Sequence, residues 1–274
     1  MKCINKWICL SLLIAVSCVS GCGKTSAAIE QPYDVYATAA DFGLSSNGTA
    51  EAKSYFASNL CVSEDVAIGT DSTDSQVAEG AGTFNLETNT VVYAKNLYER
   101  LYPASTTKIL TAYIALKYCD DLDAMVTVSE NAVNQASDSS VCNLKAGDVI
   151  RLRDLLYGLM LRSGNDAAVA IAEYISGDVD SFAALMNQEA AAMGATRSHF
   201  VNPNGLPDEN HYTCVYDMYL IFSNAIKNDT FVSIIGTTSY DVTYTDASGE
   251  AVTHTWENTN QYLTGNATTP DGFQ

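Results

Sequence analysis

A serine and a lysine three residues apart are the first candidates for chemistry in this sequence. Ser105 and Lys108 follow Pro103, and the residues from Lys108 to Cys119 are mostly apolar and favour a helix. Residues three positions apart share a helix face, so the hydroxyl and the amine are expected to meet. A lysine desolvated near a helix N-terminus is able to act as general base toward the serine. The pair is a weak signal by itself, because an ordinary helix start with an exposed lysine has the same spacing.

The segment Ser163-Gly164-Asn165 is a second candidate, and it lies between two predicted helices. In such a loop Ser163 is placed to relay a proton toward a leaving group, and the Asn165 amide is placed to hold a substrate carbonyl. The alternative is a helix cap, because Ser and Asn are common N-cap residues. The spacing is not specific either, since Ser45-Ser46-Asn47 has it too.

Short strands before and after a long helical region must position these residues. Two β-type runs, 82–86 and 90–94, predict a hairpin that leads into the helix of Ser105. Helical patterns continue to about residue 228, and strand character returns at 240–244 and 252–256. The expected helices cover 152–161, 166–175, 182–193 (capped by Asp180 or Ser181) and 216–225. This order predicts an α+β domain with a helical insertion.

The first residues predict export and attachment to a membrane. Lys2 and Lys6 precede an apolar run from Trp7 to Val19, which is too short to span a bilayer and suits a signal peptide. The run ends in Val19-Ser20-Gly21-Cys22, which resembles the bacterial lipobox, so we expect cleavage before Cys22 and diacylation of its sulfur. An ordinary signal peptide with an incidental cysteine is the alternative. We expect a lipoprotein signal peptide at 1–21, a tether at 22–60 and the folded domain at 61–274, on the outer face of a bacterial cytoplasmic membrane.

Composition and charge limit the partners of the chain. The formal net charge of −18 argues against a nucleic-acid partner and against electrostatic binding to an anionic membrane, since both need a basic face. The three histidines form no known metal or triad motif, and His199 and His211 are expected to be structural. Besides the leader cysteines and Cys22, four cysteines remain, and both disulfides (in three pairings) and free thiols stay open for them: Cys61, Cys119, Cys142 and Cys214.

Taken together, these motifs resemble the penicillin-binding serine D-alanyl-D-alanine carboxypeptidases over roughly Ala81 to Leu263. The matches follow one order along the chain, which chance does not explain. They are the stretch 103–108, the stretch 154–159 leading to 163–168, Phe182, Met186-Asn187, the stretch 200–206 and His211-Tyr212-Thr213. The resemblance implies the α+β fold of the β-lactamases and DD-peptidases, with an antiparallel sheet and a helical subdomain.

The resemblance also implies a mechanism and a substrate. Ser105 attacks the bond between the two terminal D-alanines of a peptidoglycan pentapeptide stem, and Lys108 takes its proton. Ser163 assists proton transfer to the departing D-alanine, Asn165 orients the substrate, and water hydrolyses the acyl-enzyme. β-Lactams are expected to acylate Ser105, because their ring amide resembles the substrate bond. Neither a metal nor an organic cofactor is expected.

One motif of the family, Lys-Thr-Gly on a strand at the edge of the cleft, is not found between Asn165 and Gln274. We therefore expect the C-terminal strands to be missing and the polypeptide to be an incomplete product with poor or no activity, because one lost oxyanion donor costs about 10²–10³ in rate. A lipoprotein that binds β-lactams or cell wall without turnover is the main alternative. A β-lactamase is disfavoured because no Glu-x-x-Leu-Asn pattern follows Asn165, and the leader argues against a serine glutaminase.

Overall fold

The computed structural model of the protein describes residues 57–69 and 78–267. The predicted signal peptide, most of the predicted tether and the proposed lipid site at Cys22 lie outside the described residues. No helix within these two ranges is long and apolar enough to cross a bilayer.

A β-hairpin precedes the helix of the candidate serine, as the sequence predicts. Strand β1 (Ala81–Asn85) pairs antiparallel with strand β2 (Thr90–Lys95). Asn89 in the connecting turn has φ +53°, a left-handed conformation that asparagine tolerates. Among the described residues, this two-stranded sheet is extended by an isolated bridge between Ile68 and Ala94.

The candidate serine lies in a single 3₁₀ turn rather than in the first turn of an α-helix. Residues Ala104–Thr107 form the turn, and helix α1 (Lys108–Tyr118) continues directly from it. Apolar clusters pack on both sides of α1, one around Ala112 and the other around Leu110 and Ile114. The helix is therefore buried on more than one face, in agreement with its mostly apolar sequence.

Six further helices follow α1 in the described chain. They are α2 (Glu130–Val133), α3 (Leu152–Leu161), α4 (Asn165–Ser176), α5 (Val179–Ala192), α6 (Val215–Ala225) and α7 (Asp229–Ile235). Helices α3 to α6 agree closely with the prediction. Helices α2 and α7 are not predicted from the sequence, because helices of four and seven residues contain too few turns to show a period.

The N-cap of helix α5 differs from the prediction. The cap is Asp178, whose carboxylate accepts the backbone N–H of Ser181 at 2.6 Å. The caps predicted at Asp180 or Ser181 are therefore wrong. The side chain of Asp178 reaches the free N–H groups of the first turn because its own backbone is extended.

A four-stranded antiparallel sheet packs against the helical region. Its strands, in spatial order, are β3 (Met125–Thr127), β4 (Val149–Arg151), β5 (Ser239–Thr245) and β6 (Ala251–Glu257). Strands β5 and β6 form the second predicted hairpin, and Val242, Tyr244 and Trp256 bury their side chains in the same apolar cluster as helix α3. Strands β3 and β4 come from within the region predicted to be helical, since three residues are too few to show alternation.

The four cysteines beyond Cys22 are free thiols. Cys61, Cys142 and Cys214 are buried, and Cys119 is half-buried. The sequence leaves open whether these cysteines form disulfides or remain free, and in the structure they are free.

Candidate active site

Ser105 is presented to solvent by a strained backbone turn. Ala104, directly before it, has φ +47°, a left-handed conformation that is uncommon for a residue with a Cβ atom. Ser105 itself is exposed. Its backbone N–H donates no hydrogen bond to any described residue, so this group is available to a negative charge that develops on a substrate.

Lys108 is almost completely buried, with only 2% of its surface exposed. Its Nζ atom lies 3.0 Å from Ser105 Oγ, 2.7 Å from Asn165 Oδ1 and 2.7 Å from the backbone oxygen of Asn204. Burial lowers the pKa of the Lys108 ammonium to about 8, and the negative charge of Asp166 opposes this shift. A neutral amine is thus accessible near physiological pH beside the serine hydroxyl, as a general base requires.

Asn165 is the first residue of helix α4 rather than a loop residue, and this helix start is held from behind by a loop. The Asn165 N–H donates to the Ser140 carbonyl at 2.8 Å, and the buried carboxylate of Asp166 accepts the Cys142 N–H at 2.8 Å. Gly164 lies so close to the Cys142 sulfur that a Cβ atom at Gly164 would be 2.4 Å from it. These contacts give the Asn165 side chain a fixed position next to the lysine amine.

Ser163 lies half-buried in the short connection just before α4, with φ +56°. Its hydroxyl makes no hydrogen bond within the described chain. The structure therefore brings Ser105, Lys108 and Asn165 into direct contact and leaves Ser163 outside this set of bonds. Left-handed non-glycine residues store strain and concentrate at functional sites, and both Ala104 and Ser163 have this conformation.

The turn-rich segment 202–206 packs against the start of helix α1. The Thr111 hydroxyl donates to the Pro203 carbonyl at 2.7 Å, one residue before the carbonyl that meets the lysine amine. Gly205 has φ +85°, and a Cβ atom there would lie 1.8 Å from the Ala104 carbonyl oxygen. Only glycine fits this position, because any side chain would displace the segment from the helix.

His211 is buried and joins the end of this loop to the turn that carries the serine. Its Nδ1 accepts the Val201 N–H at 3.1 Å, which leaves Nε2 to donate to Thr107 Oγ1 at 2.8 Å. Burial lowers the pKa of His211 to about 4, so the ring is neutral at physiological pH. These contacts agree with the structural role that the sequence analysis expects for this histidine.

The structure places at or behind the site three groups that are not predicted from the sequence. Asn204 contributes its backbone oxygen, and every residue type carries the same oxygen, so the sequence does not reveal it. Thr111 acts through a turn that is distant along the chain, and Asp166 holds the neighbouring loop. Two signals were available: an acidic residue follows Ser163-Gly164-Asn165 directly, and the density of turn residues at 202–206 indicates backbone carbonyls close together.

The surroundings of the site include an apolar groove of about 530 Å³ between the first hairpin, α1 and α6. Phe84, Ile109 and Phe222 are among its lining residues, and Thr106 places the groove next to the candidate serine. In the part of the chain that the structure describes, no three or more His, Cys, Asp or Glu side chains are grouped to hold a metal ion.

The fold and the site together define a class of protein, an α+β protein in which an exposed serine and a buried lysine meet at the start of a central helix. Residues 69–274 match the sequence profile of the D-alanyl-D-alanine carboxypeptidases. The chain belongs to this family.

Relatives of the chain agree with this assignment. It is 37% identical over 196 residues to a D-alanyl-D-alanine carboxypeptidase of Streptomyces sp. strain K15, covering 68% of this chain and 67% of that protein. It is 35% identical over 164 residues to the D-alanyl-D-alanine carboxypeptidase DacF of Bacillus subtilis, covering 58% of this chain but only 42% of the relative. The crystal structure of the Streptomyces K15 DD-transpeptidase matches with a TM-score of 0.63 at 35% identity, over 68% of this chain and 74% of that one.

These matches confirm the family and the α+β fold class that the sequence analysis derives from its motifs. The catalytic roles of Ser105, Lys108 and Ser163 and the substrate-binding role of Asn165 stay predictions.

Proposed function

We propose that this protein is a serine-type D-Ala-D-Ala carboxypeptidase, which removes the terminal D-alanine of peptidoglycan stem peptides through an acyl-enzyme on Ser105. The observation that carries the proposal is the 3.0 Å contact between the buried Lys108 Nζ and the exposed Ser105 Oγ. An accessible hydroxyl beside an amine of lowered pKa suits nucleophilic catalysis. Family membership and the names of the relatives support the choice of substrate.

In the acylation step, Ser105 Oγ attacks the carbonyl carbon of the penultimate D-alanine. The hydroxyl proton passes to the neutral Lys108 amine as the oxygen–carbon bond forms. The free Ser105 N–H donates to the carbonyl oxygen while that atom is negative. The carbon–nitrogen bond then breaks, and the proton reaches the departing amine with the assistance of Ser163, which releases D-alanine.

In the deacylation step, a water molecule attacks the ester carbon and gives a proton to Lys108. The bond to Ser105 Oγ breaks, and the serine recovers its proton from the lysine. The Asn165 amide uses its oxygen on Lys108, so its NH₂ group remains available to hold the substrate carbonyl. A β-lactam enters the same path, because attack of Ser105 on its ring amide forms an equivalent ester.

The test combines two assays on the full chain. Covalent labelling by a fluorescent penicillin is located by mass spectrometry, and D-alanine release is measured from a pentapeptide that ends in D-Ala-D-Ala. We expect labelling of Ser105 together with D-alanine release. We expect neither in Ser105→Ala and both in Ser248→Ala, a control at an exposed turn serine. A chain that is folded but never labelled at Ser105 contradicts the proposal.

The same assays separate the alternatives that the sequence leaves open. Labelling of one site per chain without D-alanine release favours a lipoprotein that binds β-lactams or cell wall without turnover. Rapid repeated hydrolysis of the β-lactam favours a β-lactamase. The absolute rate of labelling tests the expectation that this polypeptide is poorly active.

We also propose that Cys22 carries the lipid that anchors the protein to the outer face of a bacterial cytoplasmic membrane. The support is the lipobox-like stretch that ends at Cys22. Expression with a labelled fatty acid is expected to label the wild-type chain and not Cys22→Ala, and the variant is expected to leave the membrane fraction. If no fatty acid is incorporated into the wild type, the proposed lipid anchor is contradicted. The proposed enzymatic activity does not depend on this result.

A further inference from the structure

The Lys108 amine meets three oxygen atoms, and only one of them is able to donate a proton. Asn165 Oδ1 and the Asn204 backbone oxygen only accept, whereas the Ser105 hydroxyl both donates and accepts. A neutral amine has two N–H groups and one lone pair. When the two N–H groups point at the two carbonyl oxygens, the lone pair faces Ser105. The pair of acceptors therefore orients the base.

Of these two groups, only the Asn204 backbone carbonyl always acts as an acceptor. A side-chain amide such as that of Asn165 is able to rotate and present its NH₂ group in place of its oxygen. A backbone carbonyl has no such alternative, so an oxygen held 2.7 Å from Lys108 Nζ always takes an N–H group. Whatever holds this carbonyl in place determines where the lone pair points.

Thr111 holds the peptide that precedes this carbonyl. Its side chain is completely buried, and its hydroxyl donates to the Pro203 carbonyl at 2.7 Å. The Pro203 carbonyl and the Asn204 nitrogen belong to one planar peptide group, so the bond fixes the plane from which Asn204 continues. On the far side of Asn204, Gly205 lies against the Ala104 carbonyl. The segment is thus held on both sides of the oxygen that meets Lys108.

We propose that Thr111 is a positioning residue for the reaction of Ser105. Its hydroxyl fixes the segment Pro203-Asn204, so that the Asn204 carbonyl turns the lone pair of Lys108 toward the serine. The kinetic consequence rests on the proposed function, and the effect on the lysine itself does not.

The ionisation of Lys108 provides a measurement that is independent of activity. Besides the hydrogen-bonded oxygens, the titratable groups that act on its amine are the Asp166 carboxylate and the Cys142 thiol. A carbonyl oxygen stabilises the ammonium more than the neutral amine, so displacement of Asn204 lowers the pKa of Lys108 below about 8. General loosening of the fold has the opposite effect, because water entering the site raises this pKa toward its ordinary value.

The test compares Thr111→Val, which keeps the shape of the side chain without the hydroxyl, with Thr111→Ser, which keeps the hydroxyl. In the full chain labelled with ¹³C at lysine Cε, NMR titration measures the pKa of Lys108, assigned from the signal lost in Lys108→Met. The rate of penicillin acylation is measured across pH in parallel. We expect Thr111→Val to lower the pKa and to reduce the maximal rate about tenfold to a hundredfold, and Thr111→Ser to restore both.

The matched control is Thr213→Val, which removes another buried threonine hydroxyl, one that bonds to Ser198 and the Cys214 carbonyl rather than to the segment Pro203-Asn204. It is expected to lower the melting temperature without changing the pKa of Lys108. If Thr111→Val does not fold, Thr111→Ala carries the same expectations. A pKa and rate equal to those of the wild type in the folded variant, or a Thr111→Ser chain as slow as Thr111→Val, overturns the proposal. If the wild type is never acylated, the proposed function fails, and the titration of Lys108 still decides the role of Thr111.

Discussion

At the scale of single residues, the site depends on the contrast between an exposed hydroxyl and a buried amine. Ser105 is open to solvent, whereas Lys108 is withdrawn from water and surrounded by fixed oxygens. A pKa of about 8 leaves roughly one lysine in ten neutral at pH 7. The fraction of neutral amine, and not the position of the serine, therefore limits the reaction near neutral pH.

This contrast predicts the pH dependence of acylation. The second-order rate constant for benzylpenicillin is expected to rise about tenfold from pH 7 to pH 9 and then to level off, because the neutral form of Lys108 becomes fully populated. Stopped-flow or quenched labelling measures the rate, corrected for hydrolysis of penicillin without protein. A profile that is flat over this range, or that still rises steeply above pH 10, contradicts a lysine base of this pKa.

At the scale of elements, the beginning of helix α1 and the segment 202–211 form one unit. Thr107 at the end of the 3₁₀ turn, and Lys108 and Thr111 in the first turns of α1, each make a hydrogen bond to this segment. The geometry of the base is therefore a property of the contact between two elements rather than of the Ser105-Lys108 spacing. Substitutions in the segment are expected to affect the chemistry although they touch no substrate.

Gly205 allows a controlled test of this contact. In Gly205→Ala the new Cβ atom meets a backbone oxygen that is unable to move aside, so the Asn204 carbonyl is displaced from Lys108. We expect a loss of more than about 2 kcal/mol in unfolding free energy and a roughly hundredfold slower acylation. Gly249→Ala is the matched control, because Gly249 has φ +89° and open space around it. That variant is expected to lose about 1 kcal/mol and to keep its acylation rate, and similar behaviour of the two variants contradicts the argument.

The buried His211 makes the same unit sensitive to acid. Its folded pKa of about 4 lies below the ordinary value of 6.5, so the unfolded chain binds the extra proton between these two values. The neutral ring therefore contributes to the free energy of unfolding in full above about pH 6.5. As the pH falls toward 4, this contribution decreases by about 3 kcal/mol. Urea unfolding of the wild type and His211→Gln from pH 7 to pH 4 is expected to show a flatter dependence in the variant.

Two substitutions separate the contacts of His211. The amide nitrogen of glutamine replaces Nε2 and retains the bond to Thr107, whereas asparagine replaces Nδ1 and retains the bond to Val201. We expect His211→Gln to acylate faster than His211→Asn, because only the former keeps the turn of Ser105 tied to the segment. Equal rates in two folded variants argue against this connection.

At the scale of the whole molecule, the chain carries a formal net charge of −18, and its site is proposed to take anionic ligands. Both a penicillin and a stem peptide carry a carboxylate. Repulsion at long range is expected to slow their encounter with the protein, and salt screens this repulsion within about 8–10 Å near physiological ionic strength. Ser105 and Lys108 act on a ligand only after it has overcome this long-range repulsion.

The acylation rate constant for benzylpenicillin is therefore expected to rise about two- to threefold between 10 and 150 mM salt. Zwitterionic ampicillin is the control and is expected to respond less. A rate that falls with salt for the anionic compound would falsify this expectation, and it would mean that local positive charge outweighs the net negative charge of the chain.

The local elements of the fold are the part that sequence reasoning predicts well. The hairpins β1–β2 and β5–β6 and the helices α3 to α6 lie close to their predicted positions, because alternation, period and caps act over a few residues. Strands β3 and β4 are missed because each has three residues and is held by its partners in the sheet. The N-cap of α5 is misplaced by two or three residues, since several side chains in that stretch are able to cap.

The sequence by itself determined that the Ser105 hydroxyl and the Lys108 amine meet, because a spacing of three residues puts two side chains on one face in a 3₁₀ turn as well as in an α-helix. It also determined the family, through motifs that occur in one order along the chain. Only the tertiary structure decided which atoms orient the lysine. Asn165 is 57 residues from Lys108, Asn204 is 96 residues away, and Thr111 meets Pro203 across 92 residues. A backbone oxygen is the same in every residue type, so its arrival at the amine depends on how the chain folds and leaves no mark in the sequence.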